Sequence, residues 1–154
     1  MNKKSAMEVA AAYLENRMRT VFEVRKKLAE KEFSDKEIDE TVNELIGLRY
    51  LDDYEFAKRY YEYNAEKKRG SQRAMRELEE KGVDKQSIKF AYEAFAYETK
   101  IDELSIAKQV AESVLESAGE NSELDEKLRG KIARKLETRG FSTSTIIKVL
   151  ESII

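Results

Sequence analysis

The side chains best placed to do chemistry in this sequence are cations. Lys67, Lys68, Arg69, Arg73 and Arg76 fall close together with only Glu66 to oppose them. Arg69, Arg73 and Arg76 have the i, i+4, i+7 spacing of one helix face, with Ser71 read as a cap between them. Cations at a helix start oppose its dipole by about a few tenths of a kcal/mol each. The same geometry sets free N–H groups beside Lys and Arg, which suits an anion. The chemistry on offer is therefore a contact to carboxylates of a partner protein or to nucleic-acid phosphate, against the plain alternative of a solvated charged face. Seven of the eight tyrosines lie between Tyr50 and Tyr97, beside this cluster. Tyr54, Tyr60, Tyr61 and Tyr63 point around more than one helix face, and Tyr61 joins the cations as a candidate contact. Lys127, Arg129, Lys131, Arg134 and Lys135 form a second basic surface with the same two readings.

Other chemistry is removed by what the chain lacks. Without Cys there is no disulfide, thiolate nucleophile or thiolate metal site, and without His no imidazole base or His-ligated zinc. A carboxylate-only magnesium or calcium site survives that cut. The adjacent acids Asp52 and Asp53 read better as an N-cap and a first-turn acid than as an acid–base pair. The six glycines, at 47, 70, 82, 119, 130 and 140, are too dispersed for a P-loop or a dinucleotide fingerprint. We expect no catalytic residue, no metal and no cofactor. Lys3 and Lys4 precede an apolar run that Glu8 interrupts, which fits neither a signal peptide nor a membrane span, so a cytoplasmic protein is expected.

Helices must position these cations. Just over half of the residues are Ala, Glu, Lys, Leu or Arg, charged residues make up 39%, and Pro is absent. Helix starts recur about every fifteen residues. Ser5 with Glu8, Thr20 with Glu23, Ser34 with Glu37 and Asp52 with Glu55 look like capping boxes, and Ser71, Asp84, Ser122 and Ser142 like single caps. The spacing predicts helices at 6–17, 21–31, 35–47, 53–66, 72–81, 85–97, 101–118, 123–139 and 143–153, with a flexible joint at 118–123.

Three segments align: VRKKLAEKEFSDKEIDETVNEL from Val24, AMRELEEKGVDKQSIKFAYEAF from Ala74 and IARKLETRGFSTSTIIKVLESI from Ile132. Leu28, Leu78 and Leu136 coincide, as do Phe33, Val83 and Phe141. Gly82 and Gly140 stand where a helix ending needs a left-handed residue. Val83 and Phe141 then pack back on Leu78 and Leu136, and Lys81 and Arg139 complement the helix dipole. The first repeat places Glu32 at the glycine position, so its ending should be weaker by up to about 1 kcal/mol. The chain reads as all-α, three tandem three-helix repeats at 6–48, 50–98 and 100–154, stacked into an elongated, curved array.

This arrangement resembles the RecX family, bacterial regulatory proteins of the RecA recombinase. The resemblance is carried by VRKKLAEKEFSDKEI from Val24, YLDDYEFAKRY from Tyr50, Arg69 with Gly70, LEEKGV from Leu78 and LETRGFSTSTI from Leu136. It covers nearly the whole chain and departs from the family pattern at Glu32. Most matching positions look structural: Asp52, Asp53, Phe56, Ala57, Gly70, Leu78, Lys81, Gly82, Arg139, Gly140 and Phe141 are caps, core and helix endings. The resemblance implies binding to RecA–DNA filaments and inhibition of RecA ATP hydrolysis, strand exchange and coprotease action, within DNA repair, recombination and the SOS response.

A helix-turn-helix reader of the major groove does not fit. Its recognition helix would be 35–45, with five acids against Lys36. The expected function is thus non-enzymatic, with the RecA filament as partner and single- or double-stranded DNA as a further one through phosphate contacts. No membrane is involved and a monomer is expected. The alternatives are a RecA-independent DNA-binding protein acting through its basic helices, or a helical scaffold for another partner.

Overall fold

A computed structural model of the protein describes residues 3–100, 102–119 and 126–153. Among them run nine helices and no strand: α1 (Ala6–Asn16), α2 (Val21–Glu30), α3 (Asp35–Gly47), α4 (Asp53–Glu66), α5 (Ser71–Glu80), α6 (Lys85–Thr99), α7 (Glu103–Ala118), α8 (Glu126–Arg139) and α9 (Thr143–Ser152). The fold is all-α, as the composition and spacing predict. The Ser122 cap, the predicted start at 123, residue 101 and residues 120–123 of the predicted joint lie outside the described residues.

Local chemistry starts these helices. Ser5, Thr20 and Ser34 each accept the backbone N–H three residues on, and Glu8, Glu23 and Glu37 answer the cap's own N–H. Asp52 accepts from Glu55 N at 3.1 Å, Asp84 from Ser87 N at 2.8 Å and Ser142 from Thr145 N at 3.3 Å. Asp102 caps α7. One expected cap is wrong: Ser71 is the first residue of α5 rather than its cap, and its backbone N–H is satisfied from elsewhere, as described below.

The second-helix endings follow the repeat. In α5, Val83 N donates to Leu78 O at 3.1 Å and Gly82 N to Glu79 O at 3.0 Å. In α8, Phe141 N donates to Leu136 O and Gly140 N to Glu137 O, and in α2, Phe33 N to Leu28 O and Glu32 N to Ala29 O. All three are Schellman endings. Glu32 holds φ +66°, so the first repeat makes the same turn without glycine. Arg49, Lys68 and Lys100 are left-handed as well.

The chain divides into two compact units: Met1–Arg59 with Leu78–Tyr92, and Tyr60–Glu77 with Glu93–Ile154. The first unit has a core of Ala6, Ala10, Val24, Leu28, Ile38, Val42, Leu45 and Leu51. The motif residues Phe56, Ala57 and Leu78 are also buried there. The second unit packs Ala107, Val110, Ala111, Val114, Ile132, Leu136 and Val149 from α7, α8 and α9 with Phe141 from the turn between α8 and α9.

Candidate functional site

The cations of the second unit are set in place by a junction between the start of α5 and the end of α8. Gly70 N donates to Arg139 O at 2.8 Å and Gln72 N to Gly140 O at 3.0 Å. The Arg139 guanidinium donates in return to Lys67 O at 2.8 Å and Lys68 O at 3.4 Å, satisfying carbonyls just past α4. Arg139 therefore does more than complement a dipole. Backbones approach so closely that a Cβ on Gly70 would overlap the Gly140 carbonyl, and one on Gly140 would overlap Arg73. Gly140 also holds φ +95°. The Glu103 carboxylate, at the first turn of α7, accepts the Ser71 N–H.

The first unit contains the same junction fifty residues earlier. The Thr20 hydroxyl donates to Lys81 O at 2.7 Å, and Val21 N donates to an Asp53 oxygen at 2.9 Å. Gly82, with φ +83°, lies against the Phe22 side chain. Asp53 is thus a tertiary acceptor for α2, not merely a favourable charge on α4. Burial pushes its carboxyl above the ordinary range, and Asp84, Asp52 and Glu23 add repulsion against the Val21 bond that lowers it.

In the second unit the junction brings the two basic runs of the sequence together. Arg69, Arg73, Lys131, Arg134, Lys135, Thr138 and Arg139 line one open groove of about 470 Å³. Six of these seven residues are cations and none is an acid, a composition that suits an anion. Lys67, Lys68, Arg76 and Lys127 are exposed but do not line it. Arg129 instead donates to Leu150 O at 3.3 Å, tying α8 to α9. Thr138 and Arg139 were not expected as lining residues. Their signal was the i+4 step from Arg134 and Lys135 along the same face of α8.

Tyr61 is not a contact residue. It is buried, with its ring stacked on Phe95 at 5.7 Å between centroids. The exposed aromatic of this region is Tyr63, with Lys67 Nζ 5.7 Å and the Arg69 guanidinium 5.8 Å from its ring centre.

Within the groove the cations differ in what holds them. Arg73 Nε donates to Glu77 at 2.7 Å, and the other Glu77 oxygen accepts the Tyr60 hydroxyl. Burial opposes ionisation of Glu77, but Tyr60, Arg73 and Arg69 together hold its carboxyl below the ordinary range. Burial and the negative Glu77 push the Tyr60 hydroxyl up to about 12. Lys131, Arg134 and Lys135 make no ion pair with a described residue. Among the described residues no three acids gather where they could hold a metal ion, and no helix is long and apolar enough to cross a membrane.

Comparison with known proteins agrees with this architecture. Residues 6–45 match the family model described as "RecX, first three-helix domain". The regulatory protein RecX of Bacillus velezensis is 33% identical over 154 residues, covering 96% of this chain and 55% of its own length. That of Bacillus subtilis is 31% identical over 151 residues, covering 97% of this chain and again 55% of its own. The chain therefore spans about half the length of the curated relatives it matches. In fold it is similar to the crystal structure of RecX from Lactobacillus salivarius, with a TM-score of 0.81 at 24% identity, over 96% of this chain and 93% of that one. Residues 6–45 thus match the first three-helix domain of the RecX family, and nearly the whole chain is similar to about half the length of these RecX regulatory proteins.

Proposed function

We propose that this chain is a non-enzymatic, cytoplasmic regulator that binds RecA and RecA–DNA filaments and inhibits RecA ATP hydrolysis, strand exchange and coprotease action. It would thereby modulate DNA repair and recombination. Its relatives are named regulatory proteins. The observation that carries the reading is the groove between α5 and α8, which six cations line without an acid among the lining residues. Such a surface fits the acidic face of a protein or the phosphates of a filament's DNA. No cofactor is required, because the ATPase belongs to the partner. The test is single-strand-dependent ATP hydrolysis by RecA in the presence of rising amounts of the purified chain. Inhibition that Arg134→Glu and Lys135→Glu relieve supports the reading, and unchanged hydrolysis at excess refutes it.

The same groove favours a second reading, direct binding to DNA without RecA. Its mark is salt dependence, since neutralising about five phosphates on a single strand gives a log–log slope near about −3.5. Co-sedimentation with RecA filaments, beside DNA alone, separates the two.

A further inference from the structure

The groove holds its own competitor. Arg73 is already engaged through Nε by Glu77, and Glu77 is anchored on its other oxygen by Tyr60. The α8 side of the groove has no such arrangement: Lys131, Arg134 and Lys135 are exposed and unpaired among the described residues. An anion entering from solvent thus meets three available cations on α8 and, on α5, an Arg73 whose charge is half answered. The Arg73 and Glu77 side chains retain 30% and 24% of their exposure, enough shielding for a single carboxylate to matter at the groove wall.

We infer that Glu77 is an internal competitor that tunes binding of a single-stranded nucleic-acid backbone in this groove. Its carboxylate occupies Arg73 in the free protein and repels the incoming phosphates. The choice of a nucleic acid over an acidic peptide follows from Tyr63, an exposed ring flanked by Lys67 and Arg69, which offers a base a stacking surface next to the cations. The inference rests on the nucleic-acid reading of the groove, and a control on α8 lets the two fail separately.

The experiment is fluorescence anisotropy of a labelled oligothymidylate, titrated with the full chain over a series of salt concentrations. Glu77→Gln keeps the shape and one of the two accepting oxygens, enough to hold Arg73, but loses the charge. It should bind about tenfold tighter than the wild type at low salt. Releasing one more cation to the strand should also steepen the log–log salt slope by about 0.7. Glu77→Met, which loses both charge and hydrogen bonds, should bind at least as tightly as the wild type and serves if the glutamine variant does not fold. If Glu77 only positions Arg73, the glutamine variant will match the wild type and the methionine variant will bind more weakly, and the inference is overturned. If the wild type does not bind at any salt and Lys131→Glu changes nothing, the nucleic-acid reading itself fails. Displacement of the oligothymidylate by poly-glutamate at equal charge concentration would assign the groove to an acidic chain and overturn the inference as well.

Discussion

The glycines at the α5–α8 junction allow close approach and left-handed geometry to be separated by three substitutions. Gly70→Ala tests approach alone: its φ is not left-handed, yet a Cβ there would overlap the Gly140 carbonyl and lie within 2.6 Å of Phe141 N. Relief requires parting the two backbones that exchange the 2.8 and 3.0 Å hydrogen bonds, at about 1 kcal/mol each, so the loss should be about 2 kcal/mol. Gly140→Ala combines that displacement with a Cβ at φ +95°, which adds about 1–2 kcal/mol, for a total of about 3–4 kcal/mol. Glu32→Gly tests the dihedral alone, because Glu32 holds φ +66° at an exposed site, and should stabilise by up to about 1 kcal/mol. The assay is urea denaturation followed by far-ultraviolet circular dichroism, with the midpoint shift read at constant m value. If Gly70→Ala stays within about 0.5 kcal/mol of the wild type, as an ordinary surface change does, the close-approach argument is wrong.

Three further expectations concern the Asp53 carboxylate, the half-buried Tyr60 hydroxyl and the groove. Asp53→Ala should lose about 1–3 kcal/mol by leaving the Val21 N–H unanswered, whereas Asp53→Asn keeps an acceptor and should be at least as stable as the wild type at neutral pH. Because the folded protein raises the Asp53 carboxyl, this residue's contribution falls as pH rises through its titration, and denaturation curves of the asparagine variant at several pH values should lack that component. Tyr60, held at about 12, should titrate after ordinary tyrosines in an ultraviolet absorbance titration. The stability tied to it is complete below about pH 10 and lost between about 10 and 12, by about 1 kcal/mol after solvent screening, and Tyr60→Phe should remove that loss. Lys131→Glu and Arg134→Glu should each weaken oligonucleotide binding more than Lys127→Glu, which lies outside the groove, in the same anisotropy assay.

What was legible in the sequence was local. A cap and its answering acid stand three residues apart, so Ser5–Glu8, Thr20–Glu23 and Ser34–Glu37 carry their geometry in their spacing. The Schellman endings are equally short-range, and the recurring Leu, left-handed residue and apolar residue marked all three. The acceptors Asp53 and Glu103 were not legible, since each serves an amide thirty-two residues upstream. Nor was the groove as a single surface: Arg69 and Arg73 meet Lys131, Arg134 and Lys135 only through the junction at Gly140. Tyr61 was misread by counting aromatics. Ala57, Tyr61 and Asn64 are spaced i, i+4, i+7 and all three are buried, so the periodicity of α4 held the right answer.

The repeated contact between the start of one second helix and the end of the next has a consequence for how such a protein can grow. The middle block of about fifty residues carries both a plug, at Gly70–Ser71, and a socket, at Lys81–Gly82, whereas the plug at Thr20–Val21 and the socket at Arg139–Gly140 each stand singly in the blocks before and after it. The middle block copied in tandem brings both halves with it, so lengthening the polypeptide calls for no newly invented interface. The requirement it does impose is on one backbone position: the socket must stay bare of a side chain wherever a plug is to be seated.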